Sequence, residues 1–512
     1  MTEFLRRRGL ILATLFALSV LPHLKGITSP MLDYHYHRQC NTAAIARNYS
    51  ENGLRFFTPQ LDWEGNYRGR GATEFPLYMY LIGLLWPLGG LGDMWGRILA
   101  ILFSAGTAMV LFLLLDRKVE REAAFLGSAL FCFIPLEIYF CRTVQPEAIA
   151  LLTTTASLYF WDRSLEPERR LGFWGAAILL AFLGISHKLP YAFILGPLAY
   201  LSWRRLGLSG ALTDARTLSA PVLALGLTYA WYKYASYGAY VVPSNPNEFM
   251  SLLDYSRSLY YIWFQFGSRF PELSATYGGV VLIAIGALEL RRRRGKDADY
   301  LPGAPRDPLF FAAWWGSVAG SLILGGAYTF QHEYTSLPFT PVNGALMGVG
   351  LWTLWKKSHE ASETDGRRLR ALAVVLALAV PVHAAFRIKH WYKVNFQFLK
   401  DAQKAADAVS APDDLFLCNE RGSSVYLYYM HRRGWSWDMA EAGEKRLGEI
   451  DGKIAAGAKY YFTDNKPYLQ DKTSPYARYL AKFPLIYDKD GILIFRLWPE
   501  PKKASPARHA RS

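Results

Sequence analysis

The chain carries little charge for its length. Of 512 residues, 19% are Asp, Glu, Lys or Arg, against roughly 25% in an average soluble domain. Cysteine is sparse: Cys40, Cys132, Cys141 and Cys418 show no CxxC spacing and no neighbouring His cluster. This indicates neither a zinc site nor a disulfide framework. Cys40 and Cys418 fall on one side of the topology derived below and could pair, although isolated thiols are the simpler reading. No HExxH spacing is present, and there is no internal repeat. The segment Gly9 to Val20 behind Arg6-Arg7-Arg8 resembles a signal peptide but lacks a small-residue cleavage site, so it reads as an uncleaved first helix.

What fills the chain instead is apolar sequence. It is 52% hydrophobic and 15% aromatic, with a mean hydropathy of +0.06. Apolar runs of about 15–20 residues recur between short charged islands, the pattern of a polytopic helical membrane protein. The net charge of +15 sits largely in short loops, where Lys and Arg encode topology; a nucleic-acid partner is not indicated. The runs are Gly9–Leu24, Arg97–Leu115, Ala123–Phe140, Ala148–Trp161, Phe173–Ser186, Tyr191–Trp203, Leu218–Tyr232, Gly278–Leu290, Leu309–Thr329, Pro338–Leu354 and Leu372–Ala385. They make about eleven crossings, with the N-terminus inside and the C-terminus outside. Phe75–Leu91 is apolar but broken by Pro76, Gly83, Pro87, Gly89 and Gly90. Hydropathy alone fits a crossing or an interfacial helix; only the interfacial reading puts the short-loop basic clusters inside.

From Arg387 the character changes. Phe398–Val409 has helical period, while Asp414–Cys418, Lys459–Thr463 and Gly491–Leu497 read as strands, the last behind a Lys489-Asp490-Gly491 turn. The expected domains are a transmembrane catalytic domain over 1–386, with its first outer loop at 26–74, and an extracytoplasmic α/β domain over 387–500. A basic, disordered tail follows over 501–512.

The polar islands on the outer side hold the candidate chemistry. Asp33 follows the first apolar run; it reads equally as a general base for an acceptor hydroxyl and as a solvated loop acid. Glu147 behind Pro146 suits the first turn of a helix on dipole grounds alone, or a catalytic role. Arg142, with Gln145 in the same short turn, reads as a phosphate ligand or as a snorkelling interfacial arginine. His187 and Lys188 interrupt an apolar hairpin; Lys188 fits a phosphate, and both fit a polar cap. His332, Glu333 and Tyr334 form another island, a ligand contact or a plain loop. Asp62, Arg68 and Arg70 read as self-paired, and Glu74 as holding the loop to the membrane.

These residues resemble the GT-C superfamily of membrane glycosyltransferases, which includes the protein O-mannosyltransferases and the aminoarabinose transferase of lipid A. The resemblance lies in Leu32-Asp33, His37-Arg38-Gln39 with Thr42–Arg47, Leu61–Gly65, Thr73–Tyr78, Trp95-Gly96-Arg97, Arg142–Glu147 and His332-Glu333-Tyr334. It spans roughly residues 1–390. It implies a polyprenyl-phosphate-linked sugar donor, an inverting transfer on the outer membrane face, and Asp33 as catalytic base. It also implies Glu147 as the second acid, although several relatives carry Asp there, and Arg142, Lys188 or Arg38 as the donor phosphate's ligands. Some relatives have Lys where this chain has Phe75. No cofactor is certain; divalent metal dependence stays open. The family's habit further implies a multi-pass protein of a bacterial inner membrane, with active site and C-terminal domain on the periplasmic side, and a lipid, glycan or protein acceptor. The alternative is a lipid or oligosaccharide transporter or flippase, for which charges in mid-span would be expected.

Overall fold

The computed structural model describes residues 7–67, 71, 73–168, 170–237, 259–293, 307–420, 423–436, 444–464, 469–471 and 473–497. Arg68, Arg70, much of the 233–276 loop and the 501–512 tail lie outside the described residues. The chain forms two compact units, Met1–Ser29 with Ala72–Lys393, and Pro30–Gly71 with Val394–Ser512. Most of the first outer loop thus belongs with the C-terminal residues.

In the first unit every apolar run is helical. The helices are Arg8–His23, Met94–Leu115, Arg121–Phe131 continued by Pro135–Phe140, Glu147–Ser164, Leu171–His187, Leu195–Thr213, Ala215–Ser236, Tyr277–Arg293, Pro308–Gln331, Phe339–Glu360 and Glu363–Arg387. Among the described residues, Met94–Leu115, Pro308–Gly326 and Glu363–Arg387 are long and apolar enough to cross a membrane. Leu259–Ser274 and Tyr277–Arg292, bent by 102°, add a fourth span if taken together. Eleven crossings is a finer statement than these lengths carry. Within Phe75–Leu91 the α-helix is only Leu77–Leu85, 9 residues, or about 13 Å at 1.5 Å per residue.

Small residues bring helices together where apolar burial cannot drive association. A Cβ on Gly348 would lie 2.3 Å from the Ala123 carbonyl oxygen and 2.4 Å from the Gly127 nitrogen. One on Gly350 would lie 2.0 Å from the Leu282 carbonyl oxygen.

Loop contacts sort into two sets. Arg117 and Lys118 reach Asp162 at 2.7 and 2.5 Å, Lys356 reaches Glu120 at 2.7 Å and Arg204 reaches Asp307 at 3.2 Å. In the other set, Arg142 Nη1 donates to the Gly26 carbonyl (3.0 Å), Phe75 N to that of Ser186 (3.0 Å) and Trp231 Nε1 to that of Thr73 (3.2 Å). Helix Pro308–Gln331 breaks at Gly326, with φ 53° and ψ −133°. The carbonyls around the break accept from Tyr261 (Leu322, 2.7 Å), Gln265 (Thr329, 2.9 Å) and Arg269 (Phe330, 2.6 Å).

The second unit is built on a five-stranded sheet, β1 Leu415–Cys418, β2 Gly434–Ser436, β3 Ala458–Thr463, β4 Leu485–Lys489 and β5 Ile492–Arg496, in the order β2-β1-β3-β5-β4. β1 runs parallel to β2 and β3; β5 is antiparallel to β3 and β4. Asp490 and Gly491, both at positive φ, close the β4–β5 hairpin, the requirement of a two-residue turn matched to strand twist. Helical period over 398–409 resolves into a 3₁₀ turn, Gln397–Asp401, and helix Ala402–Asp407. Cys40 and Cys418 are both buried and are not joined in a disulfide.

The outer loop docks on this sheet. Gly65 N donates to the Gly434 carbonyl (2.6 Å) and Gly434 N to that of Asp62 (3.0 Å), which extends the β2 edge. From the loop helix Tyr36–Glu51, Arg47 bonds Asp62 Oδ2 (2.8 Å) and the Tyr428 carbonyl (2.9 Å). Asn48 bonds Asp62 Oδ1 at 2.8 Å. Asp62 thus pairs with Arg47, a partner the sequence reading did not select.

Candidate active site

The first unit brings several predicted residues together. Glu147 opens helix Glu147–Ser164 and Lys188 caps helix Leu171–His187. Lys188 Nζ lies 2.8 Å from Glu147 Oε1, both side chains buried. The same ammonium sits 4.8 Å over the Tyr334 ring. Tyr334 stacks on His332 at 5.1 Å and 17°, and its hydroxyl lies 3.3 Å from that of Tyr328. Three segments far apart in sequence, at 147, 188 and 332–334, therefore converge on one cation.

Gln145 and His187 flank this pair in sequence, and both are fully buried. The Leu183 carbonyl lies 2.6 Å from His187 Nδ1. That carbonyl can only accept, so Nδ1 carries a proton, and in the neutral ring Nε2 is the acceptor. Nε2 and both amide heteroatoms of Gln145 have no hydrogen-bond partner among the described residues. An unsatisfied buried polar group costs about 1–3 kcal/mol, so its retention calls for an explanation.

Arg142 is fully buried. Besides Gly26 it meets the rings of Tyr392 at 4.5 Å and Tyr139 at 5.1 Å. Glu74 lies in a strip whose backbone is held on both sides, by Trp231 at Thr73 and by Ser186 at Phe75. Phe75 packs edge-on against Phe182, Trp231 and His187.

Asp33 and Arg38 lie in the second unit. Asp33 is 1% exposed. Its Oδ1 accepts from Gln39 Nε2 at 2.6 Å. Arg38 is half-buried, and its carbonyl accepts from Thr42. Next to it, His37 Nδ1 stands 3.1 Å from Ser423 Oγ and 3.3 Å from Glu420 Oε1. Ser424 N donates to Asn41 Oδ1 at 2.7 Å. Glu420, Ser423 and Ser424 follow the carboxyl end of β1, where β2 and β3 lie on opposite sides; this is the point at which open α/β sheets usually take a ligand. Here the chain's own loop contacts it.

Burial pushes the Glu64 carboxyl up to about 8, with Arg433 opposing. Burial also raises Asp464, against the hydrogen bond from Tyr426. For Glu51 burial is the largest influence and pushes upward, but the hydrogen bond and charge of His431 together with the charge of Arg47 outweigh it and hold the carboxyl below its usual range. Among the described residues, no three or more His, Cys, Asp or Glu side chains converge as a metal site.

The chain is similar to several known proteins. Residues 73–231 match the family model of dolichyl-phosphate-mannose-protein mannosyltransferase. Solved structures extend the likeness to nearly the whole chain. ArnT from Cupriavidus metallidurans, bound to undecaprenyl phosphate, aligns at TM-score 0.59 and 15% identity, over 95% of this chain and 97% of that one. The chain has the GT-C glycosyltransferase fold. The Archaeoglobus fulgidus oligosaccharyltransferase tethered with an acceptor peptide aligns at TM-score 0.55 and 11% identity, over 91% of this chain and 70% of that one. The same organism's AglB, in complex with an inhibitory peptide and a dolichol-phosphate, aligns at 0.55 and 10%, over 90% and 69%. No curated protein matches by sequence. The resemblance to GT-C membrane glycosyltransferases read from the sequence is borne out.

The sequence reading quoted Gln39 but gave it no role, and it missed Tyr328. The signal for Gln39 was its place one helical turn into the segment after Asp33. Tyr328 carried none.

Proposed function

We propose that this chain is an inverting glycosyltransferase that moves a sugar from a polyprenyl-phosphate donor to a lipid, glycan or protein acceptor on the outer face of a bacterial inner membrane. The observation that carries the reading is the buried Glu147–Lys188 pair, flanked by Gln145 and His187, whose side chains hold hydrogen-bonding atoms with no partner among the described residues. Such atoms suit the hydroxyl groups of a sugar.

In this mechanism the Asp33 carboxylate takes the proton of the acceptor hydroxyl. The acceptor oxygen bonds to the anomeric carbon from the face opposite the phosphate. The carbon–oxygen bond to phosphate breaks, and polyprenyl phosphate leaves with the electron pair. Lys188 and Arg142 supply positive charge for the leaving phosphate, with Arg38 as a further candidate. Glu147 holds the Lys188 ammonium. Gln145, His187, His332, Tyr334 and Glu74 contact substrate.

The two sets of loop contacts support the topology. Arg117, Lys118, Glu120, Asp162, Arg204, Asp307 and Lys356 are ends that the charge alternation puts inside. Gly26, Thr73, Phe75, Arg142, Glu147, Ser186, Lys188, Trp231 and Tyr334 are ends that it puts outside. What ArnT and AglB hold in their structures, undecaprenyl phosphate and dolichol-phosphate, agrees with the donor class.

The test is to incubate the purified chain in liposomes with radiolabelled polyprenyl-phosphate sugars and bacterial envelope extract. Free polyprenyl phosphate and a labelled product are expected together. Retention of all label on every donor would overturn the reading.

A further inference from the structure

We infer that Gln39 is a positioning residue that orients the Asp33 carboxylate. This rests on the reading of Asp33 as the base.

The geometry is local. Asp33 is followed by a turn in which His35 takes the left-handed conformation, φ 61° and ψ 31°. A non-glycine residue held there is uncommon and is kept only where its surroundings over-determine it. Helix Tyr36–Glu51 starts at once, with Arg38 N and Gln39 N both donating to the His35 carbonyl, at 3.1 and 3.3 Å. The reversal brings Gln39 back beside Asp33. Its Nε2 donates to Asp33 Oδ1 at 2.6 Å and to the Tyr34 carbonyl at 3.2 Å. Both partners accept, which fixes the amide orientation. Both side chains are buried. On the other side of the aspartate, the Leu32 carbonyl accepts from Asn395 N at 2.8 Å and from its side-chain amide at 3.2 Å. The backbone on one side of the aspartate and the carboxylate itself are thus held by different partners, and Gln39 acts on the carboxylate.

A bond fixed at one carboxylate oxygen sets the plane of the other. Loss of that donor misaims the base, which lowers turnover without altering donor binding.

The experiment compares wild type, Gln39→Met, Gln39→Asn and Asp33→Asn, as full-length protein in liposomes, for kcat and donor KM from pH 5 to 9. Gln39→Met keeps the shape and removes the donor. The expected result is a kcat about 10- to 100-fold lower with a donor KM within about twofold. Gln39→Asn, which keeps an amide on a shorter arm, should show a smaller kcat loss with the same unchanged KM. If Gln39→Met misfolds, by loss of its cooperative melting transition, Gln39→Asn alone decides. An unchanged kcat in a folded variant overturns the inference, as does a fall in kcat accompanied by a matching rise in KM. Full activity of Asp33→Asn would instead remove the base assignment. An inactive Asp33→Asn beside a wild-type-like Gln39→Met would leave that assignment standing and remove Gln39 alone.

Discussion

Lys188 and Glu147 are 2.8 Å apart and almost wholly buried, although 41 positions separate them in sequence (188 − 147). Removing one partner leaves a buried charge, which costs about 3–5 kcal/mol. Glu147→Ala and Lys188→Ala should each lower the melting temperature in detergent and abolish transfer. Glu147→Gln with Lys188→Gln should regain most of the stability and none of the activity. Equal activity in the double variant would reduce the pair to a structural brace.

Gln145 gives the opposite relation between stability and activity. Its amide is buried without a hydrogen-bond partner among the described residues, so an apolar replacement relieves a cost of about 1–3 kcal/mol. Gln145→Leu should melt higher than wild type and transfer sugar poorly, the trade-off expected of a ligand contact. A lower melting point with normal transfer would contradict the substrate role.

Glu64 sets a pH dependence in the second unit. Burial raises its folded value to about 8, against an ordinary value near 4.3. The folded chain keeps a proton that the unfolded chain releases between these two values. This contribution to stability is fully present below about pH 4.3 and is lost as pH rises through about 8. Glu64→Gln should flatten that slope and melt higher than wild type at pH 9. Melting curves of full-length protein at pH 5, 7 and 9 check it; parallel slopes in both proteins would refute it.

Helix packing in the membrane domain rests on absent side chains. A Cβ on Gly348 meets backbone at 2.3 Å, whereas Gly9 and Gly172 have nothing within 4 Å. Gly348→Ala should destabilise by about 1–3 kcal/mol, the usual cost of overpacking. Gly172→Ala should leave yield and melting temperature unchanged. Equal behaviour of the two variants in a detergent melt would contradict the packing described.

These contrasts show what the sequence could carry. Hydrophobic runs report helices directly, so all eleven were legible from Gly9–Leu24 to Leu372–Ala385. The strands at 415–418, 458–463 and 492–496 were legible from their apolar runs and the Asp490-Gly491 turn. The association of the 30–71 loop with the C-terminal sheet was not. It depends on backbone pairing of Gly65 with Gly434 and on Arg47 with Asp62, pairs to which no local period points. At the site, Glu147 and Lys188 were each legible as oddities in apolar surroundings. Their contact was not, because it joins two helix ends through tertiary packing. Gln39 looks like any helical glutamine until the left-handed turn at His35 is seen.

The most direct test of the account is sugar transfer from labelled polyprenyl-phosphate donors by wild type and Asp33→Asn, at matched expression and matched melting temperature. The account predicts labelled product from the wild type and none above background from the variant. Equal product from both would remove Asp33 as the base. No product from either, with every donor tried, would contradict the transferase reading and favour a carrier of lipid-linked sugars.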